Sequence, residues 1–339
     1  MQSGPAAATA LSPDDQVNSV LYGYWQSRAL AVAVELELAD LLAQGPLSID
    51  VLAAKTKTDP PSLFRLMRAL ESVGIFAQVA PRVFGNTPTS ERIRRNLPGS
   101  VWAWARLILS PGLGQFDAWS GLLGSMRTGR PAYEEMFGRN YWLFLQENPE
   151  TWAIFNEAMR ALAAPMGPAV ATALDWSRFP VIADIGGGIG SQLVEILNAH
   201  PSCHGILFDN AGVLAGAIPH GRVERVAGDF FQNVPPGADA YILRWIIHDW
   251  ADAEVIRVLE NVRKAMKPGS VVAVIEWVIP ETAEATLGKW MDLHMLAMMG
   301  GRERTAAEYG TLLAQAGLKL DRVVPTNSSL SVVMGHAGS

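Results

Sequence analysis

The sequence predicts an α/β protein, a doubly wound sheet in its second half behind a largely helical first half. Three observations carry that expectation. The apolar run at 179–183 leads straight into Asp184-Ile185-Gly186-Gly187-Gly188-Ile189-Gly190. That is the pattern of a buried parallel strand turning into a helix over a glycine hinge, where any Cβ would obstruct a ligand's approach to main chain. Downstream of it, short β-type runs alternate with helical periods, as a doubly wound sheet requires. Upstream, helical periodicity dominates, with one short hairpin pattern.

In chain order, 15–42 repeats apolar residues such as Leu30, Val34, Leu38 and Leu41 at helical spacing. Short helices follow near 49–55 and 62–73, then a small hairpin over 74–79 and 82–84, the wing of a winged-helix unit. Residues 102–179 read as all-helical and rich in Trp, Met and Phe. Strands are expected at Val181–Ile185, 205–208, Val223–Ala227, 240–243 and Val271–Glu276. Helices are expected at Ser191–Ala199, 253–266 and 306–316, the last capped by Gly317. Two late strands, near 318–324 and 330–334, form an antiparallel hairpin through Thr326-Asn327-Ser328-Ser329.

Composition narrows the function classes. The 339 residues suffice for two domains, and 49% hydrophobic against 18% charged residues allows sizeable cores. A formal charge of −6 with scattered basic residues argues against a phosphate-backbone binder. The single cysteine, Cys203, excludes an internal disulfide framework and fits a reducing compartment. Residues 1–13 lack the basic start and apolar core of a signal peptide, and no apolar run reaches the roughly 18 residues of a membrane span. The expectation is a cytoplasmic protein with neither membrane nor nucleic-acid partners.

Five pieces of this chain resemble the caffeic-acid- and hydroxyindole-type O-methyltransferases, which use S-adenosylmethionine. They are the stretch from Asp184 to Gly190, Leu207-Phe208-Asp209, Gly228-Asp229-Phe230-Phe231, His248-Asp249-Trp250, and Gly300-Gly301-Arg302-Glu303-Arg304-Thr305. Glycine runs are common to many methyltransferases; the last two pieces, in this order and spacing, are the specific ones. The resemblance spans nearly the whole chain. It implies a Rossmann-like, doubly wound seven-stranded methyltransferase sheet with an N-terminal helical, winged-helix-like dimerisation domain. On this reading 14–97 is the dimerisation domain, 98–178 a helical linker and substrate wall, and 179–337 the S-adenosylmethionine-binding catalytic domain. The implied activity is methylation of a hydroxyl on an aromatic small molecule, in secondary metabolism, by a bacterial homodimer.

For the cofactor, the resemblance assigns Asp184, Gly186, Gly187 and Gly188 to the hinge that wraps its amino-acid and ribose portion. Asp209, about 20 residues past the glycines, stands where an acid accepts both ribose hydroxyl protons. Asp229 would address the adenine amine and Phe230 stack on the ring. Arg244 stands where family members often carry lysine, near the cofactor's carboxylate; a planar fork replaces a point charge there. A dehydrogenase is the competing reading of a glycine turn plus an acid, but Leu193 occupies the position of the third fingerprint glycine.

For the chemistry, a phenol of pKa about 10 is only about 0.1% ionised at neutral pH, so transfer to oxygen needs a base. Histidine suits that task. His248 follows a predicted strand on the ligand side of the sheet, whereas His200, His204, His220, His294 and His336 read mostly as ordinary core or surface residues. The family flanks its base with two carboxylates, which map to Glu276 and Glu303; Asp249 receives a supporting role. Phe155 and Met159, four apart on one helical face, and Met295 match positions that line the acceptor; Trp142, Trp152 and Trp245 are further candidates. The histidines and the cysteine lack metal-ligand spacing, which disfavours a metal-dependent catechol methyltransferase. Alternatives are an N-methyltransferase or non-methylating relative, a catalytically silent binding module, and a DNA-binding regulator. The last is opposed by the apolar Leu63, Phe64, Leu66, Met67 and Leu70 on the would-be recognition helix.

Overall fold

A computed structural model describes residues 12–95 and 97–338. It divides into two compact units, 1–110 and 111–339. In the first, α1 (Pro13–Glu35) starts at Ser12, whose side chain accepts from the Asp15 N–H. The helical period read across 15–42 is broken after α1: Glu37 adopts a left-handed φ of 50° before α2 (Leu38–Leu41). Then come β1 (Leu47–Ser48), α3 (Ile49–Thr56) and α4 (Pro60–Glu71), the last capped by Asp59 and opened by proline. Leu63, Met67 and Leu70 form the buried face of α4. The hairpin β2 (Phe76–Ala80) and β3 (Val83–Asn86) joins β1 in an antiparallel sheet of order β1-β3-β2. Helices α5 (Pro88–Glu91) and α6 (Trp102–Leu109) complete the unit.

The second unit opens with six helices: α7 (Gln115–Ser120), α8 (Leu122–Thr128), α9 (Ala132–Phe137), α10 (Tyr141–Glu147), α11 (Pro149–Ala163) and α12 (Gly167–Ala173). The sheet follows, with β4 (Val181–Ile185), α13 (Ser191–Ala199), β5 (His204–Asp209), α14 (Ala211–Leu214), β6 (Val223–Ala227), β7 (Ala240–Arg244), α15 (Asp252–Ala265) and β8 (Val271–Glu276). It closes with α16 (Leu287–Met298), α17 (Ala306–Gln315), β9 (Leu318–Pro325) and β10 (Ser331–Ala337).

The seven strands run in the order β6-β5-β4-β7-β8-β10-β9. The first five are parallel, and β10 is antiparallel to both neighbours. The order reverses at β4, which pairs β5 on one side and β7 on the other, the switch point where such sheets open a crevice beyond their strand ends. Both faces are covered: Leu243, Val258 and Leu312 belong to one core, Leu193, Leu207 and Ile242 to the other. Double-sided burial explains why β4, β7 and β8 are apolar up to their carboxyl ends, where Asp184, Arg244 and Glu276 stand. Among the described residues no helix is long and apolar enough to cross a membrane.

Candidate active site

The carboxyl ends of β4, β5, β7 and β8 bring most of the expected residues to one rim. After β4 the chain turns over Gly186 and Gly188, at φ 67° and 62°. Gly186 is favoured by its positive φ, and a Cβ on Gly187 would lie 2.5 Å from the buried Asp184 carboxyl carbon, so that position needs glycine for packing. A Cβ on Gly188 would meet nothing within 4 Å: that side of the turn is open. Asp209, at the end of β5, accepts the Gly188 N–H at 2.9 Å and the Asn210 N–H at 2.7 Å. Burial raises its pKa, and those N–H groups pull it back.

Asp184 is buried beneath the turn, and neither of its carboxyl oxygens has a hydrogen bond of good geometry. Burial pushes it up to about 7, opposed by the Arg244 charge and by a weak contact from the Leu193 N–H. Arg244, ending β7, donates to the Ala163 carbonyl at 3.2 Å and lies 4.6 Å over the Trp245 ring, while its Nε is buried without a partner. Burial lowers it to about 10. Phe230 approaches the hinge, with a ring carbon 3.4 Å from where a Cβ on Gly186 would lie. Asp229 caps its own turn, accepting from the Phe231 N–H at 2.8 Å and the Gln232 side chain at 3.2 Å.

Beyond β7, Trp245 takes a left-handed φ of 52°, a strained conformation for a bulky residue. It sends the chain into a 3₁₀ turn, Ile247–Asp249, which carries the expected base. His248 is buried, and its Nδ1 lies 2.7 Å from Glu303 Oε1. Its Nε2 lies 3.5 Å from Asp249 Oδ1. Burial pulls the imidazole toward neutrality, but Glu303, Asp249 and Glu276 outweigh it and raise the pKa to about 10. Desolvation pushes the half-buried Asp249 up to about 7, against the pull of His248.

The second expected carboxylate faces backbone instead of the imidazole. Glu276 Oε1 accepts the N–H groups of Ile246, Ile247 and His248 at 3.2, 3.0 and 3.1 Å, and Oε2 accepts the Tyr309 hydroxyl at 2.7 Å. Among the described residues His248, Glu276 and Glu303 are the one trio whose potential metal-ligating atoms converge. The hydrogen bonds just given occupy Nδ1 and both Glu276 oxygens.

The Gly300–Thr305 segment is the other half of the housing around His248. A Cβ on Gly301 would fall 1.9 Å from the His248 carbonyl oxygen, so only glycine allows this approach. Glu303 is 2% exposed, and its N–H donates to Asp292 at 3.1 Å. Arg304, fully buried, donates to the carbonyls of Ile247 and Trp250 at 3.2 Å each and to Asp252 at 2.8 Å. Only Arg302 of the three neighbouring charges at 302–304 reaches solvent.

Of the residues expected to line the acceptor, Phe155 packs edge-on to Tyr141 and Trp142, at 6.2 and 5.7 Å, in a cluster that includes Met298 and Met299. Met159, one turn along α11, is half-buried, and Met295 on α16 is buried. Sequence reasoning missed two groups beside His248. Trp277 stacks on Trp245 at 5.0 Å and lies 6.1 Å from the His248 ring. His294, set aside as an ordinary histidine, accepts the Trp119 indole N–H on Nδ1 at 3.0 Å; burial, then the His248 charge, lower it to about 4. Its position one residue before Met295, in the Met-rich stretch, was the available signal.

A glycine hinge at the switch point of a parallel sheet, with acids at the strand ends and a carboxylate-held imidazole beside it, defines a cofactor-dependent group-transfer enzyme. Residues 119–319 match the family model of the O-methyltransferase domain, and residues 18–95 that of the O-methyltransferase dimerisation domain. The chain is 41% identical over 321 residues to a phenazine O-methyltransferase of Lysobacter antibioticus, covering 93% of each chain. It is 33% identical to the phenazine-1-carboxylate N-methyltransferase of Pseudomonas aeruginosa, over 90% of this chain and 92% of that one. The crystal structure of LaPhzM superposes with a TM-score of 0.90 at 39% identity, covering 97% of this chain and all of that one. Solved relatives carry S-adenosylmethionine or S-adenosylhomocysteine. The protein belongs to the S-adenosylmethionine-dependent O-methyltransferase family, of the caffeic-acid and hydroxyindole type.

Proposed function

We propose that the protein methylates a hydroxyl group of an aromatic small molecule, with His248 as general base, as a cytoplasmic homodimer in natural-product metabolism. The observation that carries this reading is the buried 2.7 Å contact between His248 Nδ1 and Glu303. A carboxylate accepting from Nδ1–H fixes the tautomer, leaves Nε2 to take a proton and stabilises the imidazolium that forms.

The residues at the rim fit the cofactor. Asp184 has two buried oxygens without good hydrogen bonds, Arg244 has a buried Nε without one, and the Gly188 flank is open. An ammonium and a carboxylate on one ligand answer the first two groups, and Asp209 offers its carboxylate to ribose hydroxyls. Phe230, beside the hinge, would stack on the adenine, and Asp229 would address its exocyclic amine. When bound, the cofactor supplies an electrophilic methyl group on a sulfonium. The chain's own work is to seat an aromatic acceptor against Phe155, Met159 and Met295 and to take the hydroxyl proton onto His248 Nε2. His248 keeps its Nδ1 proton throughout, donated to the Glu303 carboxylate, and Asp249 flanks the Nε2 side.

Some relatives methylate nitrogen. A ring nitrogen attacks through its lone pair and needs no base, so a buried His–Glu pair favours oxygen. The test is turnover on a panel of hydroxyphenazines and hydroxynaphthoates. His248→Ala is expected to lose at least about a hundredfold in kcat, the usual worth of a positioned base. Near-full activity in that variant, or transfer confined to nitrogen, overturns the reading.

A further inference from the structure

We propose that Glu276 and Tyr309 form a seat for the base: Glu276 is a positioning residue that holds the backbone of the Ile246–His248 turn, and Tyr309 orients it. This departs from the family expectation of two carboxylates acting on the imidazole, and it rests on the reading of His248 as the base. The geometry separates the two acids. Glu303 meets the ring itself, at Nδ1. Glu276 accepts three consecutive backbone N–H groups on Oε1, the last that of His248, and the Tyr309 hydroxyl on Oε2.

Consecutive N–H groups at the start of a turn converge on one point and have no partner within the turn, so an anion there satisfies all three. All the donors point at the acid, which suits a fixed carboxylate that keeps its charge, in spite of the burial that raises its proton affinity. Glu276 ends β8, and Tyr309 lies on the buried face of α17. The two elements together locate the turn to which the imidazole is attached.

The test compares variants by the hydrogen-bonded Nδ1–H resonance of His248 and by amide hydrogen exchange at 246–248. Glu276→Gln keeps a carbonyl oxygen for the three N–H groups. It is expected to retain the Nδ1–H resonance, and kcat on 1-hydroxyphenazine within about tenfold of the parent. Glu276→Ala is expected to lose the resonance, and kcat by about a hundredfold or more, with a smaller effect on KM. Tyr309→Phe removes one hydroxyl and keeps the ring, so it folds even if the alanine variant does not. Its amides at 246–248 are expected to exchange about tenfold faster, the worth of one buried hydrogen bond.

Equal loss of the resonance in the glutamine and alanine variants, or unchanged exchange in Tyr309→Phe, overturns the seat. If His248→Ala keeps its turnover, the base assignment fails instead, while exchange in Tyr309→Phe still decides the seat.

Discussion

Two carboxylates bracket the His248 imidazole, Glu303 at 2.7 Å from Nδ1 and Asp249 at 3.5 Å from Nε2. Burial alone would favour the neutral ring, but the surrounding acids hold its proton until about pH 10, against an ordinary value of 6.5. A base works only after that proton has left, so activity should rise with pH, and the limb of kcat/KM, which reports the free protein, should have its midpoint above 6.5. The midpoint belongs to the coupled group as a whole. Glu303→Gln removes the strongest upward pull, so the limb should move toward acid while the maximal rate falls. A limb that stays in place in that variant would mean another group titrates. At this scale the sequence pointed to His248 and Glu303, because a specific motif carries each. It could not show that Glu276 faces backbone, nor that Tyr309 completes its shell. Such pairings depend on how two elements meet, which no spacing within either one encodes.

The 3₁₀ turn after β7 and the Gly300–Gly301 approach form one packing unit. A Cβ at Gly301 would sit 1.9 Å from the His248 carbonyl oxygen and 2.5 Å from the Asp249 carbonyl carbon. Backbone atoms cannot rotate aside, so Gly301→Ala should destabilise by about 3 kcal/mol or more. Gly216→Ala, whose Cβ would meet only ordinary contacts at 3.6 Å or beyond, should stay within about 0.5 kcal/mol. Denaturant midpoints measure both; a tolerant Gly301 would mean the turn is looser than described. Strands were the most legible elements: Val181–Ile185, Val223–Ala227 and Val271–Glu276 coincide with their β-type runs. Helix α16 has no counterpart among the expected elements, because residues 287–298 are apolar on most sides and show little amphipathic contrast. The break at Glu37 was invisible because the apolar period continues across it.

At the scale of the whole molecule, α1 leaves large apolar side chains in solvent, among them Val20 at 75% and Trp25 at 66% exposure. Tyr22 stacks on Trp25 at 5.0 Å in the same patch. A contiguous surface of this kind marks an interaction site, and residues 18–95 match a dimerisation domain. Light scattering is expected to return twice the chain mass of 36.6 kDa. Trp25→Asp should shift that mass toward the single chain, whereas a single-chain mass for the parent protein would end the homodimer proposal. The doubly wound architecture was legible because alternation of strand and helix is a property of the whole chain, independent of the exact limits of each piece.

Strand β10 has one further bearing on how the site comes into being. It enters the sheet between β8 and β9, and its Ser331 lies opposite Glu276 in register. A nascent chain that has reached Pro325 already carries the imidazole, its acids and both glycine turns, yet one edge of β8 is still bare. The rim around Glu276 is therefore unfinished until residues 331–337, the last strand of the chain, have paired with β8.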